Sequence, residues 1–335
     1  MGASASVLKP VRFSTRKRER MKGVFQMKKN RVAKAMAFFL LAGILTVLKI
    51  SVAEAAYLSS VSDLKQTNAA KNAVTVSWSP VEEATEYLVY YREIGASDYT
   101  YSGKTSNTTY ALAGLKDGTK YYVQVKASDG TKESIGRTLY DVVTLPDKVD
   151  GLRQKGWYYF IHSLEIEWEK KSGVSGCELS LCNSKGKTVQ KKDVAYGSST
   201  SFSDVKDSVY TIQARLYTVF NGQKHYSETG SIHCIPQARI SKIKISGKKL
   251  SLAWKKIDGA TGYKVYISTK KDKGYKLVKS LKKKSVKCTI TKIKGKKINP
   301  KKTYYVYVKT ICKKGTSGAL YYWSTKNGKF GYLPM

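Results

Sequence analysis

The sequence predicts an all-β chain of three tandem sandwiches. A strand pattern recurs about every 90 residues, and residue usage favours strands throughout. Twenty-five Tyr stand against eight Phe, with abundant Val, Ile and Thr, the β-branched and aromatic types that suit a pleated, half-buried surface. At 335 residues and 41% hydrophobic composition, the chain can fill several small cores and is not a disordered polyelectrolyte.

Each repeat begins with a strand whose apolar residues alternate and end on tryptophan: Val74 to Trp78, Leu164 to Trp168 and Leu250 to Trp254. Six residues later comes Ala84, Val174 or Ala260, nine later Tyr87, Cys177 or Tyr263, and eleven later Val89, Leu179 or Val265. Alternating strands starting at Tyr121, Tyr210 and Tyr304 supply the later half of each unit. The units close at Leu145-Pro146, Ile235-Pro236 and Leu333-Pro334. Proline lacks the N–H that a ladder needs and so ends pairing there. These signals bound the units at 57–146, 147–236 and 237–335.

The tryptophan, the tyrosine nine residues on, and the segment Leu115-Lys116-Asp117-Gly118-Thr119-Lys120-Tyr121 together resemble the fibronectin type III family. Asp117 stands in the proline place of that family's Leu-x-Pro-x-Thr-x-Tyr corner. The resemblance implies seven-stranded antiparallel, immunoglobulin-like sandwiches with Trp and Tyr at the core. It also implies roles in adhesion, in receptor ectodomains or as spacers beside secreted enzymes. The Lys-rich third unit resembles repeats on Gram-positive bacterial surface proteins. The second unit diverges, with Cys177 for the strand-C tyrosine and a shortened Val205-to-Tyr210 corner; the third carries about five extra residues before Tyr304.

Ahead of the repeats, Lys28, Lys29, Arg31 and Lys34 precede an apolar run from Ala35 to Leu48, followed by Ala53-Glu54-Ala55. This order reads as a secretory signal peptide over 27–55, cleaved near Ala55, with a retained anchor as the alternative. The apolar run falls short of the ~20 residues a spanning helix needs. Met27 is a natural start, so residues 1–26 read as a non-native or unstructured extension. The expected location is therefore secreted, with retention at the cell surface by charge.

Residue types for catalysis do not converge. His162, His225 and His233 have no metal-ligand spacing, and no Walker loop, nucleophile elbow or dinucleotide fingerprint occurs. Glu165, Glu167 and Glu169 alternate with Leu164, Ile166 and Trp168, which places them on a solvated strand face rather than in a glycosidase cleft. No enzyme, metal or cofactor is expected. Five cysteines leave at least one unpaired in an exported chain. Aligning the third unit on the first puts Cys288 at the inward Tyr110 position, and Cys312 shares the parity of Tyr304. A Cys288–Cys312 disulfide is one expectation, and Cys177 reads as a small buried hydrophobe.

Net charge is +37, and its distribution is uneven. Residues 57–146 hold 9 Lys+Arg and 10 Asp+Glu, residues 147–235 hold 12 and 10, and residues 236–335 hold 28 and 2. In the topology the resemblance implies, Lys248, Lys249, Lys270, Lys271, Lys273, Lys294, Lys296, Lys297, Lys301 and Lys302 fall in or beside the A–B, C–C′ and E–F turns, at one tip. Such a tip favours an anionic partner: cell-wall polymer such as teichoic acid, acidic polysaccharide or extracellular nucleic acid. The expected function is a non-catalytic extracellular binding or adhesion module. The alternatives are a spacer or accessory subunit of an extracellular complex, and a contact with another surface protein.

Overall fold

A computed structural model describes residues 57–326 and 328–333. The expected extension, signal peptide and apolar run lie outside the described residues, as does Pro334. Among the described residues the secondary structure is entirely strand and turn, and no helix is long and apolar enough to cross a membrane.

The first sandwich pairs a three-stranded sheet, β1 (Lys65–Ala69), β2 (Ala73–Ser77) and β5 (Thr109–Ala113), with a four-stranded one. The latter runs β4 (Thr100–Thr105), β3 (Glu86–Glu93), β6 (Lys120–Ser128), β7 (Arg137–Val143). Alternation decides which face is buried: Val74 and Val76 face Val89, Val123 and Val125 across the core. Trp78 meets Tyr87 edge-on at 5.2 Å, and the Tyr87 hydroxyl accepts the Val81 N–H at 2.9 Å. The third sandwich repeats both contacts, with Trp254 and Tyr263 at 5.4 Å and the Ile257 N–H donating to Tyr263 at 3.0 Å. In the second, Cys177 is fully buried at the tyrosine's position, and Trp157 and Phe202 join Trp168 in filling the core.

The second sandwich has β8 (Arg153–Tyr158), β9 (Ser163–Glu167) and β12 (Ser199–Phe202) on one side. Opposite lie β10 (Gly176–Cys182), β11 (Thr188–Ala195), β13 (Tyr210–Phe220), β14 (Gln223–Tyr226) and β15 (Gly230–Cys234). The last strand of the family pattern is thus split, because β14 and β15 both pair with β13. At the break, Ser227 exchanges two hydrogen bonds with Leu216: its Oγ accepts the Leu216 N–H and its own N–H donates to the Leu216 carbonyl, each at 2.9 Å. Ser134 and Ser317 make the same exchange with Ala127 and Thr310.

In the third sandwich, β16 (Ile240–Ser246), β17 (Lys249–Trp254) and β20 (Lys287–Ile290) form the smaller sheet. The larger contains β19 (Lys276–Lys282), β18 (Gly262–Ser268), β23 (Tyr305–Cys312), β25 (Tyr321–Ser324) and β26 (Phe330–Tyr332), with the short β24 (Gly315–Thr316) on β23. Seven strands therefore describe the first sandwich, and the other two exceed that number. The extra residues before Tyr304 form a small hairpin of β21 (Lys292–Ile293) and β22 (Lys296–Lys297). Lys294 and Gly295 turn it with φ of 48° and 75°, the pair of left-handed residues a two-residue hairpin requires.

The structure corrects the disulfide expectation. Cys288 and Cys312 are free thiols, as are the other three cysteines. Strand parity aims both sulfurs inward but says nothing of lateral position. Cys288 lies in β20, where the Lys279 charge of β19 acts on its thiol, whereas Cys312 belongs to β23, with β18 between β19 and β23.

Every sandwich is closed by the hydroxyl of the tyrosine that opens its long strand. Tyr121 accepts the Lys116 N–H at 2.8 Å, Tyr210 the Lys206 N–H at 3.0 Å, and Tyr304 the Asn299 N–H at 3.0 Å. Tyr210→Phe keeps the ring and orphans that N–H, so it should lower the stability of the second sandwich by about 1 kcal/mol. Urea unfolding measures this, and an unchanged midpoint would show the corner bond to be dispensable.

Candidate functional site

The two junctions between sandwiches use the same parts. The corner before each tyrosine inserts into the loop that follows the next sandwich's tryptophan. At the first junction the Gly118 carbonyl, three residues before Tyr121, accepts the Gly173 N–H at 2.8 Å. The Lys120 N–H, one residue before Tyr121, donates to Ser172 Oγ at 2.9 Å. At the second, the Asp207 carbonyl accepts the Asp258 N–H at 3.0 Å, and the Val209 N–H donates to the Asp258 carbonyl at 2.9 Å. Ser172 and Asp258 each lie four residues after their tryptophan.

The glycine that follows each of them allows this approach. A Cβ on Gly173 would stand 2.7 Å from the Thr119 backbone, and one on Gly259 would stand 2.7 Å from Ser184 Cβ. Lys171 adds an ion pair at the first junction, 2.6 Å from Asp117 and 2.9 Å from Asp150. At the second, Gln237 is buried; its amide oxygen accepts the Leu320 and Tyr321 N–H groups and its amide nitrogen donates to the Tyr321 carbonyl.

The far end of the third sandwich carries the ten candidate lysines. Strand direction brings them together: β16 ends and β17 begins there (Lys248, Lys249), as do β18 and β19 (Lys270, Lys271, Lys273). β20 ends and β23 begins at the same end, which places Lys294, Lys296, Lys297, Lys301 and Lys302 there too. All ten are exposed. Ser268 and Tyr275 fix the middle loop through hydrogen bonds to the Lys273 and Lys271 carbonyls, and buried Ile298 anchors the segment after the hairpin.

Among the described residues, no lysine or arginine of the third sandwich joins an ion pair; every pair found lies in the first two sandwiches or between them. The contrast with the second sandwich is direct. There Glu178 accepts from Arg215, Lys224 and the Tyr226 hydroxyl. Burial works to raise its pKa, but these donors overcome it and hold the carboxyl down at about 2.

Among the described residues, the candidate carboxylates and thiols do not converge on a shared cleft. No cluster of His, Cys, Asp and Glu among the described residues is placed to hold a metal. Glu165 is occupied by Lys155 and the Tyr158 hydroxyl, and Glu167 by Arg153. Burial pushes the Cys177 thiol up to about 12, so it is inert as a nucleophile.

Residues 59–139 match the family model of the fibronectin type III domain. The first sandwich is a fibronectin type III domain. The two that follow repeat its division into sheets and its tyrosine corner. Among solved structures, a two-fibronectin type III domain segment from chicken tenascin is 19% identical, spanning 52% of this chain and 99% of that one, at a TM-score of 0.31. The chicken CNTN1 FN1–FN3 domains are 12% identical over 78% of this chain and 96% of theirs, at 0.32. Fibronectin type III domains serve generally as binding or structural modules.

The sequence reading missed the junction residues. Their signal was present, since Gly173 and Gly259 share one offset from tryptophan, but an offset does not say that another domain's backbone lies against it. At the first junction, Asp117 would be raised by its burial, yet Lys171 prevails and lowers it; Lys171 likewise lowers Asp150. Depressed carboxylates contribute stability that is present above their unfolded pKa of about 3.9 and lost as pH falls through the lower folded values. Lys171→Met should cost about 1–2 kcal/mol at pH 7 and flatten the loss of stability between pH ~5 and ~2. Parallel denaturation series at several pH values test this; identical slopes in both proteins would remove the ion pair from the account.

Proposed function

We propose that the chain is a non-catalytic extracellular module whose third sandwich contacts an anionic polymer through its far end. The observation that carries this reading is the set of ten exposed lysines there, with no carboxylate partner among the described residues. Like charges at such spacing repel by under ~1 kcal/mol per pair in water, and a polyanion relieves all of these repulsions together. Lysine is a strongly hydrated point charge, so the contact selects charge density rather than a particular sugar or base sequence. Teichoic acid, acidic polysaccharide and extracellular nucleic acid all meet that condition. The near-neutral first two sandwiches then act as the arm that holds the basic end away from its attachment.

Full-length protein carrying Lys296→Gln, Lys297→Gln, Lys301→Gln and Lys302→Gln should bind teichoic acid, heparin and DNA more weakly than the parent. For DNA, log K against log salt should lose about 0.7–0.9 from its slope for each phosphate contact removed. Equal affinity and equal slope in parent and variant would overturn the reading.

A further inference from the structure

The corner of the third sandwich has the form of the two corners already engaged in junctions. Its carbonyl three residues before the tyrosine belongs to Lys301, and its N–H one residue before belongs to Thr303. At the other two corners these positions bond to the next sandwich. Here neither group is hydrogen-bonded among the described residues.

At the opposite end of the string, the first sandwich presents the loop that receives a corner at both junctions. Four residues after Trp78 stands Glu82, where Ser172 and Asp258 take the corner's N–H. Next is Glu83, with φ of 64°. Asp63 lies beside this loop, accepting from Ser79 at 2.7 Å, and Asp129 sits in the neighbouring turn after β6. Among the described residues none of these four carboxylates forms an ion pair. Four carboxylates of the first sandwich without ion pairs thus lie at the end away from the second, beside the unpaired Lys132, as the unmatched lysines of the third lie at its own far end.

We propose that the Lys301–Thr303 corner of one chain docks on the Glu82–Glu83 loop of a second copy, giving reversible head-to-tail association. The contact pairs two different surfaces, so it is heterologous and extends to short filaments unless its rotation closes a ring. It is looser than the internal junctions. Glu83 replaces the glycine whose missing side chain leaves room at the covalently linked joints, where a Cβ would stand 2.7 Å from the Thr119 backbone or from Ser184 Cβ, so the copies meet through side-chain charge. Such contacts are screened with a Debye length of about 10 Å at 0.1 M salt. Successive basic ends are held apart by the three sandwiches of one chain, which keeps their mutual repulsion from opposing the contact. The proposal uses part of the basic end assigned above to polyanions, but its acidic half lies on a different domain.

Sedimentation equilibrium of the purified protein tests it, because a charge exchange distinguishes this contact from general stickiness. At about 20 mM salt the average mass of the parent should rise with concentration, and at about 300 mM it should fall to that of one chain. Glu82→Lys with Glu83→Lys should remain single, as should Lys301→Glu with Lys302→Glu. An equal mixture of the two variants restores opposite charge at both contacts and should regain association. Mass that never exceeds one chain at low salt would overturn the proposal. So would a plateau at two chains, association that survives in either variant alone, or a mixture that stays single. The Glu82→Lys, Glu83→Lys protein keeps every candidate lysine. Its unchanged affinity for heparin therefore separates a failure of this proposal from a failure of the polyanion reading.

Discussion

The hydrogen bond from a corner N–H to the tyrosine hydroxyl does two jobs in this chain. Within a sandwich it ties the segment crossing from one sheet to the other onto the strand that follows, satisfying a backbone donor at an otherwise irregular turn. Between sandwiches it holds the adjacent carbonyl and N–H in the orientation from which they bond to the next domain. Orientation within the string is therefore set by residues that also stabilise each unit. A single tyrosine at the start of an alternating strand links local sequence to the arrangement of domains.

Charge is distributed by a different constraint. In the first two sandwiches, several lysines and arginines lie beside carboxylates on neighbouring strands, as Lys104 does with Glu86 and Arg215 with Glu178. Such pairs contribute little stability singly, but they leave little unmatched charge on those faces. The third sandwich has two carboxylates among its residues, Asp258 and Asp272, and Asp258 is engaged at the junction, where Ser184 donates to it at 2.8 Å. Its fold tolerates the excess because the core beneath is complete: Tyr263, Ile267, Val306 and Val308 are buried as fully as their counterparts in the first unit. Excess charge there is a property of the surface and imposes nothing on the packing.

Strands and cores were legible because alternation is a local signal with a period of two, and Trp78, Trp168 and Trp254 mark one strand in every unit. The basic end was legible as well, since strand direction follows from the order of elements once the fold is assigned. Lateral position was not. Inward parity is shared by every other residue of every strand, so it could not separate Cys288 in β20, at the edge of the smaller sheet, from Cys312 in β23, inside the larger one. Nor did alternation reveal Ser134, Ser227 and Ser317, whose partners all lie six residues after the corner tyrosine. The serines themselves follow that tyrosine by 13, 17 and 13 residues, because the β13–β14 hairpin lengthens the second interval. A hydrogen bond that bridges a variable loop leaves no fixed spacing to read.

The residue five places after the tryptophan shows how one position separates permanent from reversible contact. Where it is glycine, at 173 and 259, the preceding sandwich approaches so closely that a Cβ would stand 2.7 Å from the Thr119 backbone or from Ser184 Cβ. Those junctions gain direct hydrogen bonds from one sandwich to the next. Where it is Glu83, the loop carries charge instead and its surface stays exposed. A corner meeting it exchanges hydrated ions for other hydrated ions, a change whose free energy is small and depends on salt. Covalent linkage at the internal junctions supplies the high local concentration that makes even modest hydrogen bonds persist. In the proposed contact between separate chains charge is the interaction with enough reach to bring a partner to the loop, and the sequence changes from glycine to glutamate at that point.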